Sequence, residues 1–293
     1  MGLFDSMKRL FAGGGQSRPK VDLDRRYEKL REGIAGTMSS FYKARDIRTG
    51  DIVGLKIIDP KKADPVAARY KGLPKPEEGE IGSKIVGPNV VRTIDWGVST
   101  EGRKFVVMEF LEGTVLSSVI NAGRPLSPER RIDLVRQAAE GLATVHRAGF
   151  VHHDVCPRNF MVEPAGRLVL IDFGLTVPDD PIYLRPGNRV GTAAYMAPEV
   201  IRRRQADRRI DIFALGIAAY EICTLAAPWP KPSKGSGASA ALLHDSPPKD
   251  VRDLWGEIPE PLAKTIMSSI AARPDDRPPT IEKFLAGFAG VSA

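Results

Sequence analysis

The apolar positions change period along the chain. Between Tyr27 and Phe110 they form short runs rich in β-branched and aromatic residues: Tyr27 to Ala35, Ser39 to Arg45, Ile52 to Ile58, Val91 to Gly97 and Lys104 to Phe110. Such runs, set between turn-forming residues, predict strands, and Thr49-Gly50-Asp51 predicts a hairpin turn between the second and third. From about Leu116 the spacing lengthens to that of a helix. Pro128 to Ala148 carries Ile132, Val135, Ala138, Leu142 and Val145 on one face, with Ser127 as N-cap and Gly149 as stop. Asp211 to Leu225 is apolar all round, the pattern of a buried helix, and a last helix is predicted near Thr280 to Phe288. The expected class is α+β: a small, mostly antiparallel sheet followed by a mainly helical half.

The ends and one internal stretch depart from this rhythm. Leu3, Phe4, Met7, Leu10 and Phe11 fall on one face of a predicted amphipathic helix, and Gly13 to Gly15 and Pro19 read as a flexible connection. Residues 1–24 are therefore expected to be an N-terminal helix and linker, and residues 25–290 the folded body. The helix is too short to span a bilayer, and packing, partner docking and membrane-surface docking all fit it. Met1-Gly2 with Ser6 also fits the loose myristoylation pattern. Pro228 to Asp250, rich in Pro, Ser, Gly and Ala, predicts a long loop. No internal repeat is visible.

Composition narrows the partners. At 293 residues, 42% hydrophobic and 27% charged, the chain has the make-up of a soluble protein able to bury one large domain or two lobes. A net charge of +7 permits attraction to acidic partners, but no basic patch interleaved with aromatics appears, so no nucleic-acid partner is expected. Two cysteines, Cys156 and Cys223, and the absence of a secretory signal point to a cytoplasmic setting.

The chemistry concentrates between residues 152 and 199. His152-His153-Asp154 is followed by Asn159 five residues after the aspartate, by Asp172-Phe173-Gly174 eighteen after it, and then by Gly191 to Glu199, GTAAYMAPE. An aspartate beside a hydroxyl can orient it and accept its proton, while an asparagine and a second aspartate supply hard oxygen ligands for magnesium. These motifs closely resemble the catalytic core of eukaryotic-type serine/threonine protein kinases, with His153 where that family usually has arginine.

The resemblance extends over roughly residues 25 to 290 and implies a bilobal fold with lobes at 25–110 and 111–290. It implies ATP and Mg2+ or Mn2+ as cofactors and a protein as substrate. Val53-Gly54-Leu55-Lys56 resembles the strand motif whose lysine meets the nucleotide phosphates, so Lys56 takes that role. The loop from Ile34 to Phe41 keeps only Gly36 of the three phosphate-covering glycines. Glu78 falls where the lysine's acidic partner is expected, with Glu77 and Glu80 as alternatives, in a helix weakened by Pro74, Pro76, Gly79 and Gly82. Phe105 to Glu112 resembles the hinge: Met108 as gatekeeper, the Glu109 carbonyl and Leu111 amide reading adenine, and Ile34, Phe41, Gly54 and Met161 sandwiching the ring.

By the same resemblance Asp154 is the catalytic aspartate, and Asn159 and Asp172 hold the metal. Cys156 stands where a lysine is usual, and Arg158 is a candidate to supply the missing cation. Thr192 is expected to bond to Asp154, Glu199 to pair with Arg277, and Asp211 to anchor the loop. The leading expectation is an ATP-dependent Ser/Thr protein kinase. A nucleotide-binding scaffold without turnover and a small-molecule kinase are the alternatives.

Overall fold

A computed structural model describes residues 18–291 except 37, 71, 74 and 230–245. The predicted helix at 1–11 and most of the predicted loop at 228–250 lie outside the described residues.

The first lobe is an antiparallel sheet. Its strands are β1 (Tyr27–Lys29), β2 (Ile34–Ala35), β3 (Ser39–Asp46), β4 (Ile52–Ile58), β5 (Thr93–Val98) and β6 (Lys104–Glu109), ordered β1-β3-β4-β6-β5 with β2 paired to β3. The predicted first strand is thus broken in two. The hairpin at Gly50 forms, with φ of 80° at that glycine.

Strand alternation sorts the side chains. Val53, Leu55 and Ile57 of β4, with Phe105 and Val107 of β6, build a core cluster on one face. Gly54 and Lys56 therefore point the other way, as do Val106 and Met108, which belong to the larger core. Residues 18–24, grouped with a linker on composition, depart from that expectation at this end. Val21 bridges Ser99, and the short helix α1 (Leu23–Arg26), capped by Asp22, buries Leu23 in the sheet's cluster. Burial of one leucine and a side-chain cap outweigh the loop-like composition.

Two helices follow β4: α2 (Pro60–Ala67) and α3 (Glu78–Lys84). Gly79 and Gly82 of α3 are buried, and an added Cβ would collide with Trp96 at the first and the Thr93 hydroxyl at the second. The glycines that lower intrinsic helicity are what let α3 lie against β5.

The second lobe is built on α4 (Leu116–Asn121), α5 (Pro128–Arg147), α6 (Pro198–Ile201), α7 (Arg209–Thr224), α8 (Glu260–Ser269) and α9 (Ile281–Leu285). Ser127 caps α5 by accepting from the Arg130 amide, and Gly149 follows it at φ 82°. The final predicted helix ends early, its last turn tightening to 3-10 geometry over Ala286–Phe288. Five short strands were not expected: β7 (Thr114–Val115), β8 (Phe150–Val151), β9 (Phe160–Val162), β10 (Leu168–Leu170) and β11 (Val177–Pro178), paired β10-β9-β7 and β11-β8. Four of them, β8 to β11, flank the loops at 152–159 and 171–176, so the motif residues hang between fixed ends.

Candidate active site

Asp211 organises the loop from His152. It lies in the buried first turn of α7, and its carboxylate accepts from the amides of His152 (2.7 Å) and His153 (2.9 Å) and bonds His146 Nε2 (2.9 Å). Neighbouring histidines and the His146 bond hold its pKa below the usual range despite its burial. The loop answers with strain at one position, since His153 adopts φ 69°. Both His153 ring nitrogens are buried without partners, and burial lowers its pKa to about 4. The ring is therefore neutral near pH 7.

Asp154 is held in place from two sides. Its Oδ1 accepts from the Thr192 amide (2.8 Å) and hydroxyl (2.7 Å). Asn159 Nδ2 donates to the Asp154 carbonyl (2.7 Å) and Oδ2 (2.9 Å), which leaves the Asn159 amide oxygen for another use. Gly191 approaches so closely that a Cβ there would stand 2.5 Å from the His153 carbonyl oxygen, and its φ of 107° suits only glycine. Arg158 Nη2 donates to the Thr192 hydroxyl at 2.8 Å, placing a guanidinium one hydroxyl away from Asp154. The Cys156 thiol lies 3.7 Å from that hydroxyl, and burial and Asp154 raise its pKa, so it supplies no charge.

Lys56 joins the lobes. Its ammonium lies 2.6 Å from Glu78 Oε1 and 2.9 Å from Asp172 Oδ1. The two other candidate partners are engaged elsewhere, Glu77 with Lys104 and Glu80 with Lys84. Burial opposes the Lys56 charge, yet Asp172 and Glu78 more than offset it and its pKa rises. Lys56 shares its charge between two carboxylates. Asp172, which also accepts from the Gly174 amide (2.9 Å), stays below the usual range, while burial pushes Glu78 up.

The residues expected around adenine are less uniform. Phe41 faces the cleft beside Lys56, its strand partner, and its ring fills the space over Gly54: a Cβ there would lie 2.7 Å from Phe41 Cζ and 3.1 Å from Met108 Cγ. Ile34 is 73% exposed, whereas Met108 and Leu111 are buried. Among the described residues no hydrogen bond uses the Leu111 amide. The Glu109 side chain accepts from the Arg92 amide and from Arg167. A cavity of about 520 Å³ contains Gly36, Lys56, Asp154, Asn159 and Asp172, and another of about 280 Å³ lies behind Lys56 and Glu78. Ile34, Phe41, Gly54, Met108, Glu109, Leu111 and Met161 line neither cavity.

An anionic phosphate chain and a divalent cation fit this donor set. Asp172 and the Asn159 amide oxygen are hard oxygen ligands of the kind magnesium takes, and Lys56 is charged and held in the cleft. Farther out, Arg277 makes a bidentate, buried pair with Glu199 (2.7 and 2.8 Å) and caps the carbonyls of Ala271 and Ala272.

Three contacts of the segment after Asp172 have no signal in the motifs. Lys75 Nζ donates to the Gly174 carbonyl (3.3 Å), Arg69 donates to the Arg189 carbonyl, and the rings of Tyr70 and Tyr183 lie 6.3 Å apart. Their partners are backbone carbonyls and a distant ring, which sequence spacing cannot pair.

A family model described as the protein kinase domain matches residues 27–286. The chain belongs to the protein kinase family. Its kinase domain is 32% identical over 253 residues to the serine/threonine-protein kinase PknD of Mycobacterium tuberculosis, covering 86% of this chain and 37% of that protein. It is 29% identical over 267 residues to the serine/threonine-protein kinase pkn3 of Myxococcus xanthus, covering 87% and 48%. PrkC of Bacillus subtilis, also a serine/threonine-protein kinase, is 29% identical over 261 residues, covering 88% and 39%. The kinase chain thus spans less than half the length of these relatives.

Proposed function

We propose that residues 25–290 form one catalytic domain that transfers the γ-phosphoryl group of ATP to serine or threonine hydroxyls of a protein. The observation that carries this reading is the simultaneous assembly of Lys56, Glu78 and Asp172 in one ion-paired cluster beside the Asp154–Asn159–Thr192 network. Lys56 binds nucleotide phosphates as a fixed cation, and Asp154 orients the incoming hydroxyl and takes its proton. The Leu111 amide and the Glu109 carbonyl serve the adenine edge. Asn159 and Asp172 would hold magnesium, which supplies charge neutralisation on the phosphoryl oxygens. Arg158 provides the cation that Cys156 cannot, steadying the transferred group from the Thr192 side. Glu199 and Arg277 fix the lobe on which a polypeptide lies, which favours a protein over a small molecule as acceptor.

Phe41 over Gly54 favours one second reading, a scaffold that binds nucleotide without useful turnover, because the ring narrows the space assigned to the base. Incubation of the purified chain with labelled ATP, magnesium or manganese and a generic protein substrate separates the two. Transfer to serine or threonine that is lost in Asp172→Ala supports the kinase, and transfer no higher than in that variant supports the scaffold.

No helix among the described residues is long and apolar enough to cross a membrane. A cytoplasmic location, with residues 1–11 docking on a membrane surface or a partner, belongs to the same proposal. Membrane partition of the full chain against one lacking residues 1–15 tests the docking.

A further inference from the structure

The cavity that contains Asp154 has more positive charge than phosphoryl transfer requires. Lys56 stands at its buried end, and Lys62, Arg69, Arg158 and Arg189 rim it, the first three exposed and Arg189 half-buried. The carboxylates lining the same cavity are Asp154 and Asp172, the second already paired with Lys56. Nucleotide phosphates account for Lys56, and Arg158 has a place at the transferred group.

Lys62, Arg69 and Arg189 remain. They come from α2, from the turn after it and from the segment leading into Gly191, and among the described residues none forms an ion pair with a carboxylate. Elsewhere in the second lobe the contrast is plain, because Arg208 meets Asp179, Arg209 meets Asp207 and Asp275, and Arg277 meets Glu199. Two cations from α2 and the turn that continues it, and a third from the segment before Gly191, converge on one opening and lack anionic partners among the described residues.

We infer that this rim selects acidic protein substrates, by pairing Lys62, Arg69 and Arg189 with Asp or Glu side chains that flank the hydroxyl to be phosphorylated. The inference rests on the proposed kinase activity and adds the substrate class. Opposite charge at a solvent-exposed rim speeds encounter and selects partners, and its effect weakens as salt screens it. Arg69 also holds the Arg189 carbonyl, so Lys62 and Arg189 are the cations whose side chains can be changed with least disturbance.

The test uses the full chain and three peptides alike except that the central serine is flanked by Glu, Gln or Lys. We expect kcat/KM to fall in that order, by about tenfold or more from Glu to Lys at low salt, and the spread to shrink as salt rises. In the double variant Lys62→Glu with Arg189→Glu the order should reverse; because the readout is a ratio within each protein, partial unfolding cannot imitate it. Equal rates on the three peptides, or an unchanged ratio in the variant, would overturn the inference and leave the kinase reading standing. A loss equal on all three peptides would assign these cations to the nucleotide and overturn it as well. Transfer to no peptide and no generic substrate, at the level of Asp172→Ala, would defeat the kinase reading itself.

Discussion

The resemblance to the kinase motifs implies cations at His153 and Cys156, and neither residue supplies one. The His153 pKa falls to about 4 through burial, and the Cys156 thiol is pushed up rather than down. The Arg158 guanidinium lies one hydroxyl away from Asp154. Arg158→Ala is therefore expected to lower kcat about 10²-fold, with nucleotide affinity little changed; unchanged turnover would remove Arg158 from the chemistry. His153 also predicts an acid limit. Its folded pKa lies below the ordinary 6.5, so the unfolded chain takes up this proton first, and the contribution is complete above pH 6.5 and lost as the pH falls towards 4. His153→Asn, which tolerates the positive φ, should flatten the loss of stability between pH 7 and 4.5 by about 1–3 kcal/mol. Denaturant midpoints that move in parallel with pH in both proteins would contradict this. These two substitutions were readable in the sequence, but the burial that neutralises His153 was not. Its surroundings come from α7 and from the segment after Gly174, far away in the chain.

Among the elements, α3 shows where propensity misleads. Pro and Gly around Glu78 argue for a loose helix, and the glycines prove to be contact points where α3 meets Trp96 and Thr93. Gly79→Ala should push α3 off β5, lengthen the Glu78–Lys56 contact and lower kcat about 10-fold to 100-fold while the circular dichroism of the folded protein is retained. Full activity in this variant would show that the Glu78 contact is not limiting. Between Gly174 and Thr192 the hydroxyl-bearing residues are Thr176 and Tyr183, both fully buried, and the stretch is tied by Lys75, Arg69 and Tyr70. Phosphatase treatment is accordingly expected to leave activity intact. Loss of activity traced by mass spectrometry to a phosphate in this segment would refute that. At the outer edge, Arg277→Ala leaves Glu199 buried without its partner and should cost about 3–5 kcal/mol in denaturant unfolding.

Across the whole molecule, the change from period two to period 3.6 marked the two lobes, because each half has one dominant way of burying its apolar face. The motif residues were legible for a related reason: Asp154, Asn159, Asp172 and Glu199 lie close in sequence, and their spacing carries their geometry. Contacts made by closing long stretches of chain were not legible, including Arg69 with the Arg189 carbonyl and Lys75 with the Gly174 carbonyl. The five short strands of the second lobe escaped for a similar reason. Each has only two or three residues, too few to show a period, and β7, β8 and β11 form only against partners more than twenty residues away. The Phe41–Gly54 exchange of bulk lies between these cases, since both residues were visible but their contact across neighbouring strands became clear only in the fold.

The most direct test is single-turnover transfer from labelled ATP to a serine or threonine substrate, in the wild type and in Asp154→Asn, with nucleotide binding measured on both. Both proteins should bind nucleotide equally, and the substitution should slow the transfer step about 10²-fold or more. Equal transfer rates would contradict the role given to Asp154, and nucleotide binding with no transfer in either protein would contradict catalysis by this site.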